Sequence, residues 1–425
     1  PNRNGSLING WQIADAKFAK VKAGTPNLYG LLEEKWDSHH VGKQHFFTEE
    51  RIDKQPGSKT AWVTSDSYSA WVKARGVGKP GGPEFKGIVP ELISGTSTHI
   101  RPYSIPKVGR YEGGIENFTD HYFGNESVSA IKNRDKKKPL LLNVMFLAPH
   151  PPFDVPEPYF SLVRDEDVVL PENVGKWYEG QSPLQLYNLP GFLGVRYSRD
   201  DWRDVWAKYE GLVRLLDDEV GRIVKALKEE GIYDESVIVF VADHGEMLGS
   251  HSLWQKMCMY EESAHVPLII KLPQRFANQG GKASIPVSLI DVFPTLLELA
   301  GVEIPEGTDG RSLMPVIGSD EGSGRPVFIQ YDGNGSLGNF QRCVVSGDHK
   351  LIVDMFKDEC FLELYNVRED PQETTNLAFK NEFKGQTAKL VDLLRRHMEA
   401  TGDRLRLPQD IYNTFISHYK PTDQK

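Results

Sequence analysis

Short apolar runs and helical stripes alternate along most of the chain. Residues 139–148 and 237–241 are continuous apolar stretches, which predict strands buried on both faces of a parallel sheet. A further apolar run at 266–272 predicts a strand that follows the second of them. Residues 202–230 carry apolar side chains at helical spacing, and Gly231 stands where that helix should stop. The alternation predicts an α/β fold, with a mostly parallel central sheet and helices on both faces.

The composition changes to Gly, Pro, Ser and acidic residues over 305–325, which indicates a domain boundary. Beyond it, short apolar runs predict strands separated by tight turns and followed by an amphipathic helix. The predicted strands are 327–330, 342–345, 350–354 and 361–365, and the predicted helix is 381–401. We therefore expect a core domain over 1–318 and a smaller C-terminal α+β subdomain over 319–425, in which an antiparallel sheet packs against a helix.

Two short helices and two long connections complete the predicted organisation. Helices are expected over 28–34, with Thr25 as the N-terminal cap, and over 291–300. The Gly/Pro/Ser-rich stretch 73–106 and the Pro-rich stretch 151–190 are predicted to be connections without regular structure. Loops of that length in a compact domain are more often functional than idle.

Charge and hydropathy exclude two classes of partner. The net charge of −9 argues against broad binding to nucleic acid or to anionic membranes, because both need a basic face. No apolar run approaches the roughly 20 residues that span a bilayer. No basic and then apolar leader is present at Pro1, so we expect that a signal peptide was removed or never existed.

Three cysteines, Cys258, Cys343 and Cys360, show no metal-ligand spacing, and their odd count is not a disulfide framework. Cys343 and Cys360 lie on neighbouring predicted strands. A disulfide between them and two reduced core thiols are both compatible with the sequence.

Four short segments place a basic or metal-binding side chain just beyond an apolar stretch. They are 42–45, 148–153, 243–246 and 255–256. Each has an ordinary interpretation when taken alone: a solvated loop, a rigid Pro-rich turn, an Asx turn at a strand end, and a surface charge. The strand ends that carry two of them favour a site, because ligands of open α/β sheets bind at the carboxyl ends of the strands.

The side chains in these segments suit anion chemistry around a divalent cation. Asp243 and His244 follow a predicted strand directly, and an acid beside an imidazole is a metal-binding combination. Lys43 and His45 are two positions apart, so an extended backbone projects both to the same side. Several fixed donors of this kind would hold a tetrahedral oxyanion. His150 lies between prolines, whose constrained backbone can aim an imidazole as a proton donor.

In this order the segments resemble the sulfatase family of the alkaline-phosphatase-like superfamily, and the resemblance covers nearly the whole chain. Lys43 and His45 match the family's Gly-Lys-Trp-His motif, with Gln44 in place of the Trp. The other matching motifs are His150-Pro151-Pro152-Phe153, Asp243-His244-Gly245, Lys256-Met257-Cys258-Met259-Tyr260-Glu261, Val292-Phe293-Pro294-Thr295-Leu296, Asp309-Gly310-Arg311-Ser312-Leu313, Glu363-Leu364-Tyr365-Asn366, Asp370-Pro371-Gln372-Glu373 and Asn376-Leu377.

The resemblance implies a role for each candidate residue. Asp243 and His244 would be ligands of Ca²⁺, with Mg²⁺ or another divalent ion as alternatives. A His at position 244, where the family often has Asn, also occurs in relatives that cleave phosphonates or phosphodiesters.

The remaining roles implied by the resemblance concern the sulfate group and its ester. Lys43 and Lys256 would hold the sulfate oxygens. His45 would orient or deprotonate the nucleophile, and His150 would protonate the leaving alcohol.

The family's nucleophile is a formylglycine made within a Cys/Ser-x-Pro-x-Arg motif, and none of the 425 residues belongs to such a motif. Ser104 comes closest, but Val108 stands where the Arg belongs. The acidic pair on the family's first strand is also not found. We therefore expect that the chain starts partway into the fold, with an N-terminal piece cleaved off, omitted from the sequence or lost, and that these 425 residues alone are inactive.

The expected activity is hydrolysis of a sulfate ester on a sulfated sugar, a polysaccharide or an aryl sulfate. Long polar loops that bear aromatic residues, 98–111 and 177–197, are expected to line an open cleft. Two alternatives stay open: a phosphonate monoester or phosphodiester hydrolase, and a pseudo-sulfatase that binds sulfated glycans without cleaving them. The family suggests a periplasmic, secreted or lysosomal-type compartment.

Overall fold

The computed structural model describes residues 1–8, 18–93, 97–279, 281–318, 324–333 and 338–419. The strands are β1 Asp37–Gly42, β2 Ala61–Thr64, β3 Lys86–Ile93, β4 Ser97–Ser104, β5 Val108–Arg110, β6 Leu140–Met145, β7 Phe153–Val155, β8 Ile238–Val241, β9 Leu268–Lys271, β10 Val327–Tyr331, β11 Phe340–Ser346, β12 His349–Phe356 and β13 Glu359–Asn366. The α-helices are α1 Leu28–Leu32, α2 Ser65–Ala74, α3 Thr119–Asn133, α4 Tyr159–Leu162, α5 Leu189–Gly194, α6 Arg199–Glu229, α7 Glu261–Ala264, α8 Val292–Ala300, α9 Lys384–Ala400 and α10 Ile411–His418.

A parallel sheet in the order β2-β1-β6 positions two of the candidate segments. Helix α3 packs against β1 and β6, and α6 packs against α3. The predicted long helix is confirmed as α6, whose N-terminus is capped by Ser198 and which ends just before Gly231, at φ +69°. The mixed α/β fold with a parallel sheet is therefore as predicted.

Within the described part of the chain, the strand that precedes Asp243 has no parallel partner, contrary to the prediction. Instead, β8 pairs with β9 in an antiparallel two-stranded ribbon, with Val241 opposite Leu268. The predicted burial on both faces is also wrong for β8, where 39% of Val241 is exposed; on its partner β9, 62% of Ile269 is exposed. A continuous apolar run does not reveal which neighbour a strand will take, because that choice depends on segments distant in sequence.

The stretch 73–106, predicted to be an irregular connection, contains the antiparallel hairpin β3–β4. Its inner face buries Val89 and Tyr103, whereas Ile88 and Ile100 on the outer face are exposed. In the sequence, the prolines at 90 and 102 disfavour strands. Proline has no N–H to donate to a β-ladder and is therefore confined to edge strands. Both strands of a two-stranded ribbon are edges, which is why the prolines fit.

Two further predictions are corrected in detail. The N-cap of α1 is Asn27, whose side chain accepts from Gly30 N at 3.0 Å, while the Thr25 hydroxyl donates to the Lys22 carbonyl. All three cysteines are free and buried. Cys343 and Cys360 do not pair, because β12 lies between the strands β11 and β13 that carry them.

The four predicted C-terminal strands form an antiparallel sheet in the order β10-β11-β12-β13. One face packs on α9 through apolar side chains such as Leu351 and Leu390. The other face packs on the segment around Met259 and Tyr260, through residues such as Ile352. The C-terminal sheet therefore supports the segment that bears Lys256, and the boundary at 318/319 stays a prediction. No helix among the described residues is long and apolar enough to cross a membrane.

Candidate functional site

The ends of three strands bring three of the candidate segments together, and the fourth, 255–256, joins them through the contact of Lys256 with His150. Parallel β1 and β6 place their carboxyl ends at the same edge, where Lys43 N donates to the Met145 carbonyl at 2.8 Å. Asp243 follows β8 and meets the Lys43 side chain at this edge. Gly42 has φ +123° and an added Cβ would lie 2.0 Å from the Met145 carbonyl oxygen, so only Gly allows this approach of the two strands.

Lys43 and Asp243 form an ion pair in which Lys43 Nζ lies 2.8 Å from Asp243 Oδ2. The Lys43 side chain is 13% exposed and that of Asp243 is 54% exposed. Burial acts to raise the pKa of Asp243, but the charges of His244 and Lys43 and the hydrogen bond from Lys43 lower that pKa to about 2. Asp243 is therefore a carboxylate at any physiological pH.

Lys256 and His150 form a second close pair, with Lys256 Nζ 2.6 Å from His150 Nε2. His150 Nδ1 lies 2.7 Å from the Pro151 carbonyl, which can only accept, so the hydrogen is on Nδ1. The Nε2 lone pair therefore accepts from the Lys256 ammonium. Burial, and then the charge of Lys256, lower the pKa of His150, and burial lowers the pKa of Lys256 to about 8.

His244 presents Nε2 toward Asp243. Its Nδ1 lies 2.8 Å from the Gly245 carbonyl and must donate, so Nε2 carries the lone pair. Nε2 is 3.7 Å from Asp243 Oδ1, a separation compatible with two ligands of one divalent ion. Among the described residues, no group of three or more His, Cys, Asp or Glu is placed to hold a metal. The donor types and their spacing fit a metal, but they make only part of a ligand set.

Gly245 contributes to this geometry through close packing. An added Cβ at Gly245 would lie 1.9 Å from the Glu262 carbonyl oxygen. Gly245 N and Glu246 N donate to the Ser263 and Glu262 carbonyls, both at 2.8 Å. The turn that bears Asp243 and His244 is thus tied directly to the segment that follows Lys256.

His45 lies in the field of the same charges. Burial lowers the pKa of His45 to about 4, and the charges of Lys43 and Lys256 contribute to the lowering while that of Asp243 opposes it. Its ring stacks on Phe47 with centroids 6.1 Å apart. The imidazole is therefore neutral near pH 7 and able to accept a proton. All six predicted site residues lie in one cluster.

Two residues in and around this cluster were not predicted. Glu246 is partly buried, its Oε1 has no hydrogen-bond partner among the described residues, and burial raises its pKa to about 7 while the charge of Lys256 opposes the rise. Asp120 bonds to the backbone that precedes His150. Asp120 gave no sequence signal, because a carboxylate in the first turn of a helix usually serves the helix itself.

Comparisons with known proteins identify the family of the chain. The sequence model of the family described as Sulfatase matches residues 10–302, and that of the family described as N-sulphoglucosamine sulphohydrolase, C-terminal, matches residues 249–400. The chain belongs to the sulfatase family. An arylsulfatase of Clostridium perfringens is 30% identical to this family member over 280 residues, which cover 65% of this chain and 56% of the relative.

A second relative is a multifunctional alkaline phosphatase superfamily protein of Trinickia caryophylli, 29% identical over 346 residues that cover 74% of this chain and 64% of the relative. The chain thus spans less than two thirds of the length of these two curated relatives.

Solved structures show the fold of this sulfatase family member. The phosphonate monoester hydrolase of Agrobacterium radiobacter superposes with a TM-score of 0.72 at 21% identity, covering 90% of this chain and 82% of that one. A protein solved in complex with its substrate D-glucosamine-2-N,6-O-disulfate superposes with a TM-score of 0.66 at 19% identity, covering 95% and 86%. At these identities the likeness establishes the architecture alone.

Proposed function

We propose that the protein hydrolyses a sulfate ester whose sulfate group lies between Lys43 and Lys256. The observation that carries the proposal is the convergence of two ammonium groups and three imidazoles at one sheet edge, in a chain of the sulfatase family. The net charge of the chain is −9, so an anion is attracted here by these local cations and not by the overall field.

The proposed site includes a divalent cation, Ca²⁺ by family or Mg²⁺ or another ion, with Asp243 Oδ1 and His244 Nε2 as two of its ligands. Lys43 contacts the other carboxylate oxygen, Oδ2, so Asp243 Oδ1 and His244 Nε2 remain available to the ion. When bound, such an ion withdraws electron density from the sulfate oxygens and stabilises negative charge. The attacking group that we expect is formylglycine, and it is assigned to none of the described residues.

The site also contains a group that can accept a proton and a group that can donate one, as ester hydrolysis requires. His45 is neutral and can accept a proton from the attacking group. The proton shared by Lys256 Nζ and His150 Nε2 is available to the leaving oxygen, which must gain a proton as its bond to sulfur breaks. The structure thus supports the predicted role of His150, with Lys256 as the source of its proton.

The substrate that we propose is a sulfated sugar or polysaccharide. Helix α5 borders the Lys256 segment, since Asn188 Nδ2 donates to the Met257 carbonyl at 2.8 Å. Trp177, Tyr187 and Phe192, in the stretch predicted to line a cleft, are each more than a third exposed. Exposed aromatic faces suit the apolar faces of sugar rings. A periplasmic, secreted or lysosomal-type location is proposed from the family alone.

A phosphonate monoester or phosphodiester hydrolase is the second candidate. It is favoured by His244, and by likeness in fold to a phosphonate monoester hydrolase. Both substrate classes present a tetrahedral centre with anionic oxygens, so Lys43 and Lys256 do not discriminate between them.

Rates on 4-nitrophenyl sulfate and on a 4-nitrophenyl phosphonate, measured with the product of the complete natural gene, separate the candidates. We expect a higher kcat/KM on the sulfate and a loss of at least about 100-fold in Lys256→Met. The matched control is Lys54→Met, because Lys54 is exposed and outside the cluster. A higher kcat/KM on the phosphonate supports the second candidate. Sulfate binding without turnover of either ester supports the non-catalytic alternative.

A further inference from the structure

Asp120, in the first turn of α3, holds the backbone that leads to His150. The residue is 1% exposed, and its Oδ1 accepts from Leu147 N at 2.6 Å and from Ala148 N at 3.1 Å. The segment then turns back on itself, since His150 N donates to the Leu147 carbonyl at 2.9 Å. One carboxylate oxygen therefore fixes the two residues at the start of the turn that carries the imidazole.

This anchor has no replacement within the turn. Leu147 and Ala148 lie beyond the last residue of β6, so their N–H groups do not take part in the hydrogen bonds of that strand. Pro149 has no N–H to donate. An unpaired N–H at this depth would cost about 1–3 kcal/mol. Charge-assisted bonds to a carboxylate are roughly twice as strong as neutral ones, which favours Asp over an uncharged acceptor.

The carboxylate is itself set in a fixed frame. Asp120 lies next to His121, whose Nδ1 is 2.7 Å from Glu219 Oε1 on α6. Arg222 on the same helix contacts Glu219 as well. Helix α3 is thereby tied to α6, and it also packs against β6, the strand that leads to the His150 turn. The distance from Asp120 to that turn is therefore set by packed secondary-structure elements.

From this geometry we infer that Asp120 is a positioning residue, which aims the His150 imidazole at the leaving oxygen and keeps His150 Nε2 against Lys256. The inference rests on the proposed function, because it assigns His150 to proton delivery. Asp120 does not touch the substrate. Its loss would therefore impair the step that needs the proton more than it impairs binding.

The test compares Asp120→Ala with Asp120→Asn, which retains an acceptor oxygen, in the product of the complete natural gene. Substrates are 4-nitrophenyl sulfate, whose leaving group needs little help from a proton, and an alkyl or sugar sulfate, whose leaving group needs much. We expect Asp120→Ala to lower kcat on the alkyl or sugar sulfate about 100-fold, and to lower it about 10-fold or less on the aryl ester. KM should change little, and Asp120→Asn should recover most of the loss.

Controls separate this inference from the proposed function. Glu126→Ala, on the same helix, should behave as wild type. His150→Gln should show the same dependence on leaving group as Asp120→Ala. If His150→Gln lacks that dependence, the proton role of His150 fails. If His150→Gln shows it and Asp120→Ala slows both esters equally, or Asp120→Asn is as impaired as the alanine variant, the positioning role is overturned.

A readout without turnover uses protein labelled with ¹⁵N in histidine. Asp120→Ala should move the imidazole resonances of His150, assigned through His150→Gln, while Asp120→Asn and Glu126→Ala should leave them nearly in place. Unchanged resonances in Asp120→Ala would equally overturn the inference.

Discussion

Lys43 Nζ lies 2.8 Å from Asp243 Oδ2, although the two residues are 200 positions apart in the chain. The pair joins the end of β1, in the parallel sheet, to the end of β8, in the antiparallel ribbon. The Lys43 ammonium group lies beside the Asp243 carboxylate, whose other oxygen, Oδ1, remains available to another partner. The proposed anion site and the proposed cation site thus meet at this ion pair.

Replacing Lys43 by Met should weaken anion binding. The variant loses one charged donor to the anion and leaves the Asp243 carboxylate without its partner, which together correspond to about a 10- to 100-fold loss of affinity for inorganic sulfate. Isothermal titration calorimetry at pH 7 measures the effect, with Lys54→Met as the surface control. Equal sulfate affinity in Lys43→Met and wild type would remove Lys43 from the proposed site.

Asp243→Asn and His244→Ala should each weaken binding of a divalent cation. Each variant removes or neutralises one of the two proposed ligands, so we expect at least about a 10-fold loss of Ca²⁺ affinity by calorimetry, with Mg²⁺ titrated in parallel. Asp234→Asn is the matched control, because Asp234 is an exposed carboxylate ahead of the same strand. Wild-type Ca²⁺ affinity in both variants would show that the ion binds elsewhere.

Gly42→Ala should destabilise the fold by about 2–4 kcal/mol or prevent folding. The added Cβ suffers both from φ +123° and from a contact of 2.0 Å with the Met145 carbonyl oxygen. Gly57→Ala separates the two effects, since Gly57 has φ +87° but no heavy atom within 4 Å of its added Cβ. Urea denaturation should show about 1 kcal/mol of loss for Gly57→Ala. A similar loss in both variants would mean that β1 and β6 can separate at little cost.

Asp354→Asn should flatten the pH dependence of stability. Asp354 is fully buried on β12, where Oδ2 accepts from Ser182 Oγ at 2.8 Å, and burial raises its pKa to about 7. The folded state therefore binds this proton more tightly than the unfolded chain, where the pKa is about 4. The resulting stability is fully present below pH ~4 and is lost as the pH rises through about 7.

The asparagine variant has no such proton to lose. We measure the free energy of unfolding of both proteins by urea denaturation at pH 5, 6, 7 and 8. Below pH 7, the decline with pH should be smaller in the variant than in wild type, and the difference should reach about 1 kcal/mol per pH unit. Asp358→Asn, at an exposed position in the β12–β13 turn, should follow wild type. A parallel decline in Asp354→Asn and wild type would show that another group carries the dependence.

Much of the secondary structure follows from local pattern. The stripe of apolar positions predicted α6 to within a few residues, and the four C-terminal runs each became a strand. The hairpin β3–β4 was missed because Pro90 and Pro102 interrupt the alternation of inward-facing and outward-facing side chains, and because the outer face of the hairpin is exposed. The cap of α1 was misplaced because Thr25 and Asn27 are both good capping types, and only the backbone decides between them.

The six candidate residues could be named from the sequence because their motifs stand in a characteristic order along it. The order of the motifs does not show which atoms are in contact. The contact of Lys256 Nζ with His150 Nε2, the lowered pKa of His45 and the hold of Asp120 on Leu147 all depend on groups brought together by folding.

The sequence by itself determined the class of fold, the long helix and the identity of the chemical groups, since periodicity and residue type are local properties. Only the tertiary structure decided that β8 pairs antiparallel with β9, that Lys43 neutralises Asp243, and that the proton of the second pair rests on Lys256. Strand partners and pKa values are set by neighbours distant in the chain, whose burial and charge no local pattern encodes.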